Sequence, residues 1–159
     1  MNFTLVKQSE LSGSKATVYT VQLSDGIDLF DQFLKENIGG YHEDINDILQ
    51  RLRTIATKTG AQKNYFKLRE GKPGDGVSAL YDSPKKHLRL YCVRMGNSVI
   101  ILGGGGPKTT RTYQEDPKLN YEANLIKQVS KEITEKMNTK YLCFSDDELE
   151  LEGELVITP

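Results

Sequence analysis

The chain has no tryptophan, only two cysteines and two histidines among 159 residues, and no apolar run approaching the length a membrane helix needs. Crossing a bilayer takes ~20 apolar residues, so no membrane partner is expected. Cys92 and Cys143 are too few for a disulfide framework or a thiolate zinc site, which favours the reducing cell interior. The acidic pairs Glu43 with Asp44 and Asp146 with Asp147 have no His or Cys at ligand spacing, so no metal is expected. No serine stands in a nucleophile elbow and no dinucleotide fingerprint occurs, so no cofactor is expected either. The N-terminus MNFTLVKQSE lacks the apolar core of a secretion signal. The sequence therefore reads as one cytoplasmic domain, long enough to bury a core without staples.

Charges of the two signs nearly cancel overall but are unevenly placed. The net charge is −1, yet residues 145–159 hold six acidic residues and no Lys or Arg, leaving residues 1–144 with 21 basic against 16 acidic groups, or +5. The expected division is a basic body over 1–144 and an acidic C-terminal extension over 145–159. Such a body attracts phosphates over roughly a Debye length, ~8 Å at physiological salt. The extension is either a solubilising end or a competitor for the same basic surface.

Periodicity supplies the elements. Residues 2–7 and 16–23 alternate as strands and can pair as a hairpin across LSGS, the first being an added N-terminal strand. Ser24 and Asp25 can cap a helix with Ile27, Phe30, Phe33, Leu34 and Ile38 on one side, ended by Gly39-Gly40. A second helix follows, with Tyr41, Ile45, Ile48, Leu49, Leu52, Ile55 and Ala56 at three-and-four spacing before Gly60. Strands are expected over 65–70, 77–81, 88–94 and 98–102, with EGKPGDG as a loop, Ser83-Pro84 as a turn and Met95-Gly96-Asn97 joining the last pair. The run VIIL is apolar on both faces, as a central strand requires. A last helix over 121–137 carries Leu125, Ile126, Val129, Ile133 and Met137. The expected fold is α+β: an antiparallel sheet, an N-terminal αα-hairpin on one face, a C-terminal helix and a basic opposite face.

The stretch from Lys85 to Arg111, KKHLRLYCVRMGNSVIILGGGGPKTTR, holds the chemistry. Side chains alternate along a strand, so His87, Arg89, Tyr91 and Val93 should share one face, and Leu88, Leu90 and Cys92 the other. The four glycines read as a loop before Lys108; they do not form a Walker loop, which needs glycine where Pro107 stands. Such a face suits a phosphate-bearing ligand, RNA above all. Cutting RNA by its own 2′-hydroxyl needs no metal, only a base, cations around the phosphorus and a proton for the leaving oxygen. Lys67, Arg69, Arg89, Lys108 and Arg111 can supply the cations, the arginines gripping two phosphate oxygens at once. His87 can act as acid or base, and Tyr91 or Tyr113 can do so beside cations or can stack on a base. Each residue also has a plainer role, as a solvated sheet face, a surface histidine or a packed tyrosine.

LRLYC over 88–92 and VIILGGGGPKTT over 99–110, within the stretch from about Ala16 to Met137, resemble the RelE/ParE superfamily of bacterial toxins, especially its HigB-like and phage Gp49-like members. The resemblance implies a small RelE-like fold that cleaves messenger RNA, usually on the ribosome, and a neighbouring antitoxin of helix-turn-helix type. It places Lys67 and Arg69 as the basic pair of the second family strand, Arg89 as the arginine of the third, Lys108 and Arg111 in the turn after the fourth, and Tyr113 near a tyrosine before the last helix. This chain has Lys108-Thr109 where the family often has two lysines. A ParE-type gyrase inhibitor, or an RNA-binding regulator that does not cut, is open on the same fold.

Overall fold

The computed structural model describes residues 1–67, 76–80, 87–108 and 112–158, with the backbone alone at Lys67. Most of the EGKPGDG segment, the Ser83-Pro84 turn, Arg69 and Arg111 lie outside the described residues. In chain order the elements are β1 (Phe3–Lys7), β2 (Thr17–Leu23), α1 (Leu29–Asn37), α2 (His42–Thr54), β3 (Phe66–Lys67), β4 (Val77–Leu80), β5 (Leu88–Met95), β6 (Val99–Pro107), α3 (Pro117–Asn138), β7 (Leu142–Phe144), β8 (Leu151–Gly153) and β9 (Val156–Ile157). The class is mixed α and β. No helix among the described residues is long and apolar enough to cross a membrane.

Seven strands form one sheet in the order β3-β4-β5-β6-β2-β1-β9, and β7 with β8 forms a separate pair. The sheet is mixed rather than antiparallel, because β2 runs parallel to β6, from Thr17 beside Val99 to Thr20 beside Leu102. The run VIIL does lie centrally. Val99 and Ile101 face one core while Ile100 and Leu102 face the other.

Those two cores correct a second expectation. On one side α1 and α2 bury Phe30, Phe33, Ile45, Ile48 and Leu52 against Val18, Leu88, Leu90 and Cys92. On the other, α3 buries Leu119, Ala123, Ile126, Val129 and Ile133 against Tyr19, Tyr91, Val93 and Ile101. Helices therefore cover both faces, and among the described residues no broad basic face is left open. The reason lies in β5 and β6, whose side chains are apolar on both faces and need a layer on each.

Local chemistry explains where the helices start. Asp28, not Ser24 or Asp25, caps α1: its carboxylate accepts from the Asp31 amide at 3.0 Å and from the Thr20 hydroxyl at 2.6 Å. Asp25 instead accepts from the Ile27 amide at 3.0 Å within a turn completed by Gly26 at φ 92°. Ile27 and Ile38 are left exposed at either end of the stripe. Helix α3 begins at Pro117, with Asp116 accepting from the Lys118 and Leu119 amides, and Pro at the first helical position loses no hydrogen bond.

The four glycines are strand, not loop. Gly103 to Gly106 belong to β6 and are buried. A Cβ at Gly103 would stand 2.9 Å from Ile126 Cδ1, one at Gly104 would overlap the Glu122 carboxylate, and one at Gly105 would overlap the Arg89 carbonyl. Glycine here lets α3 approach the strand and accommodates the irregularity between Leu90 and Cys92 in the β5–β6 ladder.

The acidic end also differs from its reading as an extension of the body. Leu151 and Ile157 are buried in the α3-side core, and β9 pairs with β1, Phe3 facing Ile157. Glu150 pairs with Lys7, whose pKa that hydrogen bond raises, and Glu154 meets Lys136 at 3.1 Å. Apolar residues interleaved with the acids do the anchoring.

Candidate active site

The end of the sheet where β5 begins and β6 finishes gathers the residues of interest. Arg89 stands opposite Gly106 on the β5–β6 ladder, and the Lys108 amide donates to the His87 carbonyl at 2.8 Å, extending that ladder by a rung. Arg89 and Lys108 are both half-buried. Arg89 precedes Tyr91 and Val93 by two and four residues, and both of those face α3, so alternation puts Arg89 on the same side. Lys67 enters by register: it pairs with Ala79, which pairs with Tyr91.

The tyrosines converge and the histidine does not. Tyr91 is fully buried, its ring centroid 6.1 Å from that of Tyr113 at 69° between planes, an edge-to-face pair. Burial takes Tyr91 out of contact with any substrate. Tyr113, half-buried in a 3₁₀ turn ahead of α3, accepts a hydrogen bond from Lys127 Nζ at 2.6 Å, and that ammonium lies 5.0 Å from the Tyr113 ring centroid. His87 breaks the expected alternation. Its Nδ1 lies 3.1 Å from Asp44 Oδ2, in the first turn of α2, and its ring neighbours Tyr41, so it serves the opposite side of the sheet from Tyr91. It stands before β5 starts at Leu88, where strand alternation no longer governs direction.

Two carboxylates and a lysine complete the surroundings. Lys118 Nζ lies 2.9 Å from Glu122 Oε1 and 3.3 Å from Glu36 Oε1, tying the start of α3 to the end of α1. Burial disfavours its charge, but Glu122 and then Glu36 outweigh that and hold its pKa above the usual value. Glu122 is buried, and its Oε2 has no hydrogen-bond partner among the described residues. Cys92 lies on the far side of β5 from Tyr91; burial pushes its thiol up to about 12, which makes it inert packing rather than a nucleophile.

Of the expected residues, the structure brings Arg89, Lys108, Tyr91 and Tyr113 to one sheet end, places the Lys67 backbone two strands away in the Tyr91 row, and sends His87 elsewhere. Lys127, Lys118 and Glu122 were missed. The Lys118–Glu122 spacing of four was legible as a helix pair, whereas nothing in sequence links Lys127 to Tyr113 across a turn.

The acidic end does not reach this site. It pairs on β1, at the far edge of the sheet order, and Ser98 Oγ donates to the Glu148 carbonyl at the turn between β5 and β6. That turn is the opposite end of β5 from Arg89, about 20 Å away at 3.3 Å per residue. Shielding of Arg89 by the acidic end is therefore set aside.

No protein-family model matches the sequence, and comparison with curated proteins and with solved structures likewise found no match.

Proposed function

We propose that the protein is a RelE-like toxin, an endoribonuclease that cuts messenger RNA without a metal and is neutralised by an antitoxin of helix-turn-helix type. The observation that carries this reading is the meeting of Arg89 and Lys108, on adjacent strand ends, with Tyr113 on the α3 side of the same sheet end. Arg89 grips the non-bridging phosphate oxygens, where negative charge builds as the 2′-oxygen attacks. Lys108 adds a second cation, and Lys67, whose backbone pairs with Ala79 beside Tyr91, is the third of the proposed set. Arg69 and Arg111 complete the proposed set, and Tyr113 is the acid–base group.

Induction of the gene in a bacterial host should arrest growth and yield cut transcripts, and Arg89→Ala should lower cleavage about 10²- to 10³-fold, the usual loss for one charge-stabilising donor. Intact transcripts together with blocked gyrase would move the protein to the ParE class. A second reading, RNA binding without cleavage, is favoured by the burial of Tyr91 and by the engagement of His87 with Asp44, which leave Tyr113 alone for proton transfer. Retention of intact RNA by the purified protein, lost in Arg89→Ala, would establish it.

A further inference from the structure

Resting on the ribonuclease reading, we propose that Lys127 of α3 is a positioning residue that makes Tyr113 the general acid for the leaving nucleotide. An ammonium has donors and no acceptor, so the 2.6 Å contact must be Lys127 donating to the Tyr113 oxygen. The phenolic proton is therefore directed elsewhere than Lys127. The Tyr113 ring is fixed independently, in an edge-to-face pair with buried Tyr91, while the Lys127 ammonium sits beyond its oxygen. Two contacts thus fix where the phenol oxygen stands.

Distance brings that bond to the chemistry. Tyr91 and Arg89 are two residues apart on β5, about 6.6 Å at 3.3 Å per residue, and point to the same side of the strand, so the ring that packs on Tyr91 shares the face from which Arg89 would hold a phosphate. Lys127 also lines a groove of about 480 Å³ along α3 with Asn124, Gln128 and Lys131, so it is reached from the outer surface. In the step itself the 2′-oxygen bonds to phosphorus as its proton passes to water. The bond from phosphorus to the 5′-oxygen breaks with its electron pair on that oxygen, and the Tyr113 proton moves onto it. The Lys127 ammonium stabilises the phenolate left behind, which then regains a proton from water. The products are a 2′,3′-cyclic phosphate and a 5′-hydroxyl.

A leaving sulfur needs no proton, and this gives the test. Single-turnover cleavage is measured on a short messenger, free and ribosome-bound, whose scissile linkage carries either the natural 5′-oxygen or a 5′-bridging sulfur. Lys127→Met should slow the oxygen substrate about 10- to 100-fold, part of the roughly 10²- to 10⁴-fold a positioned acid contributes, and leave the sulfur substrate within about threefold of the parent protein. Lys127→Arg, which keeps a donating cation, should recover most of the oxygen rate. Equal slowing of both substrates, or no slowing of either, would overturn the role of Lys127 while the ribonuclease reading stands. A parent protein that cuts neither substrate would overturn both.

Discussion

On one side of the sheet, α1 and α2 bury Phe30, Phe33, Ile45, Ile48 and Leu52, and the buried polar residues among them are satisfied: Asn37 donates to the Phe33 carbonyl at 2.8 Å and Asp44 meets His87. On the other, α3 buries Ala123, Ile126 and Val129 together with Glu122 and Glu132, each with one carboxylate oxygen that has no hydrogen-bond partner among the described residues. Leaving such an oxygen dry costs about 1–3 kcal/mol. The α1/α2 layer is thus built to hold the fold. The α3 layer holds these two carboxylate oxygens, and it is also the layer beside which Arg89, Tyr113 and Lys127 of the proposed site collect. Functional groups tend to sit where packing is compromised.

Substitutions can break or sharpen that contrast. The largest effect is expected in the hydrocarbon layer: Leu52→Ala removes a fully buried side chain and should cost about 2–5 kcal/mol in urea unfolding. A loss below 1 kcal/mol would show that this layer does not carry the stability. Next comes the glycine strand. Gly105→Ala sets a methyl against the Arg89 carbonyl, so backbone must shift, at about 1–3 kcal/mol. Gly104→Ala meets only the movable Glu122 side chain and should cost less, with Glu122→Ala relieving part of it in the double variant.

Within the α3 layer, Glu122→Gln discharges a buried carboxylate while Glu36 still pairs Lys118, so unfolding free energy should change by less than about 1 kcal/mol or rise. A large loss would mean that the unpartnered oxygen is satisfied in solution. The smallest effect concerns pH. The pKa of Lys118 is raised in the folded state, so its contribution is complete below the ordinary 10.5 and is lost as pH climbs through the folded value. Thermal melting of the parent protein should therefore decline slightly more steeply above pH 10.5 than that of Lys118→Met.

Legibility followed the range of the forces involved. The stripe Ile45, Ile48, Leu52 and Ile55 was readable because helix periodicity is local, and all four are buried. Ile27 and Ile38 fitted the same kind of stripe and are exposed, because the Asp28 cap set by Thr20 moves the helix start past one and the helix ends before the other. Gly103 to Gly106 look like a loop in isolation, since the α3 side chains pressed against Gly103 and Gly104, Ile126 and Glu122, lie 23 and 18 residues onward. The acidic end concealed two strands, because the three residues of β8 and the two of β9 are too short for any alternation to show.

Local order alone determined the identity of the main strands and helices and the central place of the VIIL run. Which side of the sheet each helix covers, the parallel pairing of β2 with β6, the direction His87 takes and the meeting of Lys127 with Tyr113 were decided only when the chain packed. Those features depend on contacts between residues distant in sequence, and no periodicity of 2 or 3.6 residues records them.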